Sequence, residues 1–316
     1  MNMEKIEQLF RGLYEDFRTR RDGHIGDARF APWFRRGRNS AYPPVIGFGL
    51  PRRDDEQIPM VTIGINPSTE EFPAHIARDE NVAFQWLEQT GYFEWRDRRG
   101  PYRDWFDFSN DLVTEVRYPE EMWSHYEIAS VPGGVVSDGT RRVQRVPHLD
   151  LTPVVTDGGM ERVEKDVADK NAAPDLLGEG IEFCLLPLLE HLVKGHSTRL
   201  AVLYGYVPAE PGKSLLQRTL PGLFSRVGKG ATIDGRGPVP TIKVAAGTFD
   251  MQDARTARRG SLSDLRVVFC SHGPSALNRR NDLPRAGDPA TKYSDSMTKA
   301  GRKVREWCSE EWWRGH

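Results

Sequence analysis

The chain of 316 residues carries 44 Lys and Arg residues against 45 Asp and Glu residues, and 38% of its residues are hydrophobic. This length and composition allow a full hydrophobic core and exclude wholesale disorder, while the net charge of −1 gives no overall attraction for nucleic acid. No apolar run approaches the roughly 20 residues that span a membrane, and the N-terminus carries acidic residues where a secretory signal needs an apolar stretch, so we expect a cytoplasmic protein with no membrane partner.

The first part of the chain is predicted to contain two helices and one buried strand. Apolar residues at three- and four-residue spacings favour an amphipathic helix over residues 3–21, within an N-terminal extension of residues 1–57. Met60–Ile65 is apolar and β-branched and stops at an Asn-Pro turn, which is typical of a buried strand. A helix is predicted over Asn81–Thr90. Residues 92–145, rich in aromatic residues and arginines, are interpreted as an insertion.

The second part of the chain is predicted to continue the alternation of strands and helices. Val146–Val155 favours a second central strand, whose pairing we expect Pro153 to end. Further elements are predicted as buried strands at Leu200–Tyr204 and Arg266–Ser271, an edge strand at Thr241–Ala246, and helices at about 173–192 and 295–314. Short apolar strands between helices indicate an α/β fold with a mainly parallel sheet covered on both faces. No linker marks a boundary, so residues 1–316 are expected to form a single domain.

Two turns follow predicted strands and carry residue types suited to chemistry. In residues 64–68 (GINPS), the proline keeps Asn66 out of the helical region, so its amide can meet a water molecule or a substrate; a simple strand-ending turn is the alternative. Residues 271–275 (SHGPS) suit a helix start, which favours negative charge. His272 can stabilise an anionic leaving group there, or it is a surface histidine beside a helix cap. Since sites in parallel α/β folds lie beyond the carboxyl ends of strands, we expect the two turns to share one cleft.

Taken together, these turns resemble the uracil-DNA glycosylase superfamily. In its mismatch-specific branch a Gly-x-Asn-Pro turn follows the first core strand, and a late His- or Asn-Pro-Ser turn opens a helix with a small residue and Leu. The resemblance covers roughly residues 58–94, 146–156 and 198–282. One departure stands out: Gly273 takes the place of the family's His or Asn, and His272 comes one residue early. Either the shift preserves the reach of the histidine, or the leaving-group contact comes from elsewhere.

The resemblance implies a three-layer α/β/α sandwich around a central, mainly parallel four-stranded sheet. It also implies a monofunctional DNA N-glycosylase, without cofactor or metal, that hydrolyses the glycosidic bond of a base flipped out of double-stranded DNA and leaves an abasic site. No obligate protein partner is implied. The implied catalytic residues are Asn66, which positions the attacking water, and His272, which stabilises the departing base. The remaining implied contacts are substrate binding by Gly64, Ile65, Pro67, Ser68 and Phe72, the last stacking on the base, and DNA binding by Ser275, Leu277, Arg279 and Arg280, with Leu277 filling the vacated gap.

Two residues bear on the identity of the base. Asp150 takes the place of an Asn that reads the Watson–Crick edge in the uracil-specific branch. A carboxylate only accepts hydrogen bonds, so it suits the N4 amino group of cytosine better than O4 of uracil, unless Asp150 merely caps a loop. Ser68 replaces an aromatic residue and leaves room at C5. We therefore expect a C5-modified cytosine, hydroxymethylated or glucosylated as in phage DNA, and an antiviral role.

The same residues fit other functions. A repair glycosylase for uracil or mismatches and a catalytically inactive DNA-binding module on the same fold are the main alternatives. A phosphate-binding loop is disfavoured because Gly205 and Gly212 enclose six residues, two of them prolines, where that motif has four. A zinc deaminase, a disulfide framework and a four-cysteine iron–sulfur cluster lack the necessary cysteine pairs. Arginine clusters, which either bind phosphate or are balanced by surface acids, occur at residues 35–38, 96–103, 258–259 and 279–285.

Overall fold

A computed structural model gives the fold of this chain. It describes residues 8–9, 11–13, 15, 44–45, 47–51, 56–67, 103–116, 122–124, 143–155, 173–208, 220, 222–235, 241–271 and 289–307. In the N-terminal extension, residues 8–9, 11–13 and 15 are helical, as predicted, and Leu13 is buried in the core. The helix predicted over Asn81–Thr90 lies outside the described residues.

The described strands form one seven-stranded sheet and one two-stranded sheet. In chain order the strands are Gly47–Phe48 (β1), Met60–Gly64 (β2), Met122–Ser124 (β3), Val143–Arg145 (β4), His148–Asp150 (β5), Leu200–Tyr204 (β6), Phe224–Ile233 (β7), Ile242–Phe249 (β8) and Arg266–Cys270 (β9). The large sheet has the order β1-β5-β2-β6-β9-β8-β7, and β3 pairs with β4 alone.

The inner four strands of the large sheet, β5, β2, β6 and β9, are mutually parallel. β1 is antiparallel to β5, and β8 is antiparallel to both β9 and β7, so only β1 and β8 run against the others in this sheet. Every residue of β2, β6 and β9 is buried, as expected for parallel strands covered on both faces. The predicted α/β fold with a mainly parallel central sheet is therefore confirmed, although the sheet has seven strands where four were expected.

Three strand predictions need correction. β8 is not an edge strand, because β7, which was not predicted from the sequence, pairs with its outer side. β8 is also longer than expected and ends at Phe249. β5 occupies the predicted central position but has only three residues. After β5 the backbone still bonds to the end of β2, because Leu151 N–H donates to the Gly64 carbonyl at 3.2 Å. Pro153 has no N–H and contributes only its carbonyl, which accepts from Val45 N–H.

The described helices pack on the two faces of the large sheet. They are Arg103–Val116 (α1), Ala173–Gly180 (α2), Leu186–His196 (α3), Ala254–Ala257 (α4) and Pro289–Trp307 (α5), with a π-helical segment at Ile181–Leu185 between α2 and α3 and a 3₁₀ turn at Gly260–Asp264. The helix predicted over 173–192 is confirmed and runs on to His196, and the C-terminal helix begins earlier than expected. None of the described helices is long and apolar enough to cross a bilayer.

A hydrophobic cluster lies on each face of the large sheet. On one face, the stretch from α2 to α3 packs against β2, β5, β6 and β9. On the other face, α1 and α5 pack against β2, β6, β8 and β9. α1 was not predicted from the sequence, although Phe106, Val113 and Val116 follow a helical spacing and are all buried. A helix from the segment interpreted as an insertion thus supplies part of this core.

The close approach of α5 to α1 depends on a glycine, and we expect Gly301→Ala to destabilise the fold by about 1–3 kcal/mol. A methyl group at Gly301 would lie 2.6 Å from the Leu112 carbonyl oxygen and 2.8 Å from Glu115 Cβ, so the helices would have to separate. Gly178 in α2 is the matched control, because a methyl group added there would meet no atom within 4 Å. Gly178→Ala should instead stabilise by about 0.5–1 kcal/mol through helix propensity. Urea unfolding of both variants checks this, and equal stabilities would contradict it.

Candidate functional site

The carboxyl ends of the four parallel strands meet at one edge of the sheet. The turn Ile65–Pro67 leaves β2 at this edge, and Ser271 leaves β9. β6 lies between these two strands, so their ends are roughly 10 Å apart at the usual strand spacing. Ser271 is fixed here by two bonds to Lys243, since its N–H donates to the Lys243 carbonyl at 2.8 Å and its hydroxyl accepts from the Lys243 N–H at 2.9 Å. The segments that begin the two predicted turns therefore share one edge of the sheet.

The turn after β2 is held by backbone bonds on both sides of Ile65. Leu151 N–H donates to the Gly64 carbonyl at 3.2 Å, and Thr152 N–H donates to the Ile65 carbonyl at 3.3 Å. Asn66 is half-buried, and its amide nitrogen donates to the Pro67 carbonyl at 2.9 Å. The asparagine side chain is thus attached to the turn itself, at the end of a rigid central strand.

Gly64 and Asp150 are paired in register across β2 and β5. Asp150 is only 2% exposed. A methyl group at Gly64 would lie 2.9 Å from Asp150 Oδ1 and 2.9 Å from His148 Nε2, closer than real Cβ contacts. The absence of a side chain at Gly64 is therefore what lets these two polar side chains lie over β2.

His148 links Asp150 to β2 and to the helix above it. Its Nδ1 lies 2.9 Å from Thr62 Oγ1, and its Nε2 lies 3.7 Å from Asp150 Oδ1, an ion-pair distance. The Phe106 ring of α1 packs edge-on against the imidazole, with ring centroids 5.5 Å apart. His148 is 5% exposed and Thr62 is fully buried. We call the three side chains Thr62, His148 and Asp150 the strand-end polar cluster.

Asp150 was predicted from the sequence, but the other two members of the cluster were missed. The signal for His148 was present, because a His two residues before an Asp places two polar side chains on the same face of a strand. Thr62 had no such signal, since threonine is common in buried strands. Its role depends on the register that sets it opposite His148.

A second buried polar pair lies under α1 on the same face. The Tyr204 hydroxyl, at the end of β6, is 2.7 Å from Ser109 Oγ of α1, and both side chains are buried. This bond ties α1 to the sheet beside the strand-end polar cluster. Beyond β6, burial raises the pKa of the Tyr206 phenol, so Tyr206 stays neutral at physiological pH.

The described residues include five of the predicted site residues: Gly64, Ile65, Asn66, Pro67 and Asp150. The fold brings these together at the ends of two adjacent parallel strands. The other predicted site residues lie outside the described residues, and they are Ser68, Phe72, His272, Ser275, Leu277, Arg279 and Arg280.

The arginine cluster at residues 258–259 forms ion pairs with glutamates. Arg259 binds Glu190 at 2.6 Å, and Arg258 lies 3.8 Å from Glu182. Burial favours a higher pKa for the Glu190 carboxyl, but hydrogen bonds from Lys194 and Arg259 outweigh it and lower the pKa. This cluster therefore fits the interpretation of surface arginines balanced by acids. Within the ranges that the structure describes, no three His, Cys, Asp or Glu side chains group closely enough to hold a metal ion.

Comparisons with protein-family models, with curated proteins and with solved structures found no match for this chain. The chemistry of the site follows from its own groups. They are a half-buried amide at a strand end, a buried carboxyl beside an imidazole, and the start of a second turn at the same edge. Such a constellation suits orientation of a water molecule and recognition of a hydrogen-bond donor.

Proposed function

We propose that this chain is a monofunctional DNA N-glycosylase, which hydrolyses the bond between a flipped base and its sugar and leaves an abasic site. The observation that carries the proposal is the pairing of Gly64 with Asp150. Because of this register, the turn that would position water and the carboxyl that would read the base lie at the ends of neighbouring strands. The late turn beginning at Ser271 leaves the same edge of the sheet.

The architecture supports the same proposal. Four mutually parallel inner strands with a hydrophobic cluster on each face suit a three-layer α/β/α sandwich around a four-stranded core, to which β1, β7 and β8 are added. Ligands of such sheets bind beyond the carboxyl ends of the strands, where the candidate site lies.

In the proposed reaction Asn66 orients a water molecule toward C1′ of the flipped nucleotide. An amide cannot take up a proton, so its contribution is orientation. As the water oxygen bonds to C1′, the C1′–N bond breaks and its electron pair goes to the base. His272, together with the N-terminal amides of the helix that the sequence predicts to start near Pro274, would stabilise the departing base.

The proposed substrate is a C5-modified cytosine, hydroxymethylated or glucosylated, in double-stranded phage DNA, and the biological role is antiviral. Asp150 supports this choice because its carboxyl, ionised or protonated, has an oxygen that accepts a hydrogen bond from the N4 amino group. Ser68 adds space on the C5 side of the base.

The test is an abasic-site assay on four DNA samples: glucosylated phage DNA, hydroxymethylated phage DNA, unmodified DNA and uracil-containing DNA. We expect abasic sites in one or both modified samples and none in unmodified DNA. Abasic sites in the uracil sample alone would instead indicate a repair glycosylase that acts on uracil. No abasic sites in any sample would contradict the glycosylase and favour a DNA-binding module.

We expect Gly64→Ala to lower the excision rate at least about tenfold, because its methyl group would displace both Asp150 and His148. The fold should lose about 1–3 kcal/mol, as for an overpacked core position. Excision rate and urea unfolding are measured together, and Gly178→Ala serves as the control that leaves excision unchanged. Full excision by Gly64→Ala would show that the position of Asp150 does not matter.

A further inference from the structure

The protonation of His148 is constrained by its neighbours. The Thr62 hydroxyl can donate to the Pro147 carbonyl, which lies 3.4 Å from Thr62 Oγ1 and only accepts. In that arrangement Thr62 Oγ1 accepts from His148 Nδ1–H across 2.9 Å, and this is the tautomer that the proposal below uses. This leaves Nε2 of His148 facing Asp150, either as a lone pair or as an N–H.

One proton can therefore lie on either side of the gap between Nε2 and Asp150 Oδ1. With the proton on Nε2, the pair is an imidazolium and a carboxylate; with the proton on the carboxyl, it is a neutral imidazole and a carboxylic acid. The separation of 3.7 Å is within ion-pair range but longer than a hydrogen bond, so the two side chains must come closer for the proton to pass between them. Among the described residues, Thr62 on β2, Phe106 on α1 and Asp150 on its own strand lie against His148, and Phe48 on β1 is its partner in strand register.

A cytosine-type base benefits from such a proton. Cytosine is a poorer leaving group than uracil, because its ring has one carbonyl fewer over which to spread negative charge. A proton delivered to N3 allows the ring to leave neutral. A carboxylic acid can accept a hydrogen bond from N4–H with one oxygen and donate to N3 with the other, whereas a carboxylate can only accept.

We propose that His148 is a positioning residue for Asp150, and that the proton shared by these two side chains is delivered by Asp150 to N3 of a cytosine-type base as the glycosidic bond breaks. This rests on the proposed function. The water oxygen bonds to C1′, the electron pair of the C1′–N1 bond goes to the ring, and N3 takes the proton of the Asp150 carboxyl. The proton that the attacking water releases restores the one lost from the His148–Asp150 pair, so water is the only reactant consumed.

The test compares single-turnover excision of 5-hydroxymethylcytosine and 5-fluorocytosine from matched duplexes. Fluorine withdraws electrons and stabilises the leaving base, which makes N3 protonation less important. In the His148→Gln variant an amide replaces the imidazole and cannot carry the proton. We expect a loss of about 100-fold with 5-hydroxymethylcytosine and of less than about tenfold with 5-fluorocytosine.

Two further variants distinguish the effect of losing the shared proton from the effect of disturbed packing. Thr62→Val removes the hydroxyl that holds Nδ1–H while keeping the shape of the side chain, and should give a smaller loss with the same preference. Ser109→Ala breaks the other buried polar pair under α1 and should affect both substrates alike. Thermal unfolding confirms that each variant is folded.

The outcomes distinguish failure of the shared-proton proposal from failure of the proposed function itself. If His148→Gln loses excision rate equally on both substrates, or on neither, the proposed role of His148 is wrong and the proposed glycosylase activity is unaffected. Excision of uracil alone by the unmodified protein would overturn that role and the cytosine assignment together. No excision of any base would overturn the proposed function and this inference with it.

Discussion

Replacing Asn66 with alanine should lower the single-turnover excision rate by about 100-fold or more, while the affinity for duplex DNA changes by less than about threefold. The amide is proposed to orient the attacking water, and loss of such orientation reduces the rate of the chemical step without weakening substrate binding. DNA affinity depends mainly on contacts to phosphates, which this substitution does not touch.

The Asn66→Ala substitution removes a hydrogen bond between the side chain and its own turn. Asn66 is half-buried, and its side chain bonds locally, to the Pro67 carbonyl. Losing one such bond destabilises a protein by only about 1 kcal/mol, so the variant should fold. Arg279→Ala is the opposite control, since it should weaken DNA binding broadly and reduce its salt dependence. If the Asn66→Ala variant excises bases at the normal rate, or if the unaltered protein and this variant both fail to excise any base, the DNA-binding module becomes the better interpretation.

Asp150→Asn should reverse the base preference. The two side chains have nearly the same shape, so the buried position next to Gly64 can hold either. The amide can accept from N3–H and donate to O4 of uracil, whereas it cannot release a proton to N3 of cytosine as the carboxyl is proposed to do. A contact of this kind discriminates by about 1–3 kcal/mol, so we expect up to about a 100-fold loss on 5-hydroxymethylcytosine together with a gain on uracil.

The ratio of the two excision rates is the quantity to measure for Asp150→Asn, because a general loss of stability lowers both rates and leaves their ratio unchanged. Phe48 pairs with His148 from the outer side of β5, and Phe48→Leu is a control that disturbs the same strand without changing a polar group. An unchanged ratio in Asp150→Asn would show that Asp150 does not read the base. It would leave the catalytic proposal for Asn66 untouched.

The elements predicted correctly along this chain are those with strong local patterns. β2, β6 and β9 are continuous apolar runs buried on both faces, and each lies within one residue of its predicted bounds. β7 was missed because its sequence, FSRVGKGATI, mixes charged and glycine residues with apolar ones and includes a shift in its pairing to β8. α1 was missed because its apolar positions lie within a segment dense in arginines and aromatic residues.

For the candidate site, residue patterns were enough to predict the turn that carries Asn66, the carboxyl of Asp150 and the mainly parallel sheet that places strand ends together. These follow from residue type and from periodicity over a few neighbours. Three features of the site are visible only in the folded chain: Gly64 lies opposite Asp150, Thr62 lies opposite His148, and Phe106 covers the imidazole. Strand register and helix packing join residues that are far apart along the chain, such as Thr62 and His148 at a separation of 86 positions, and local composition does not encode such pairings.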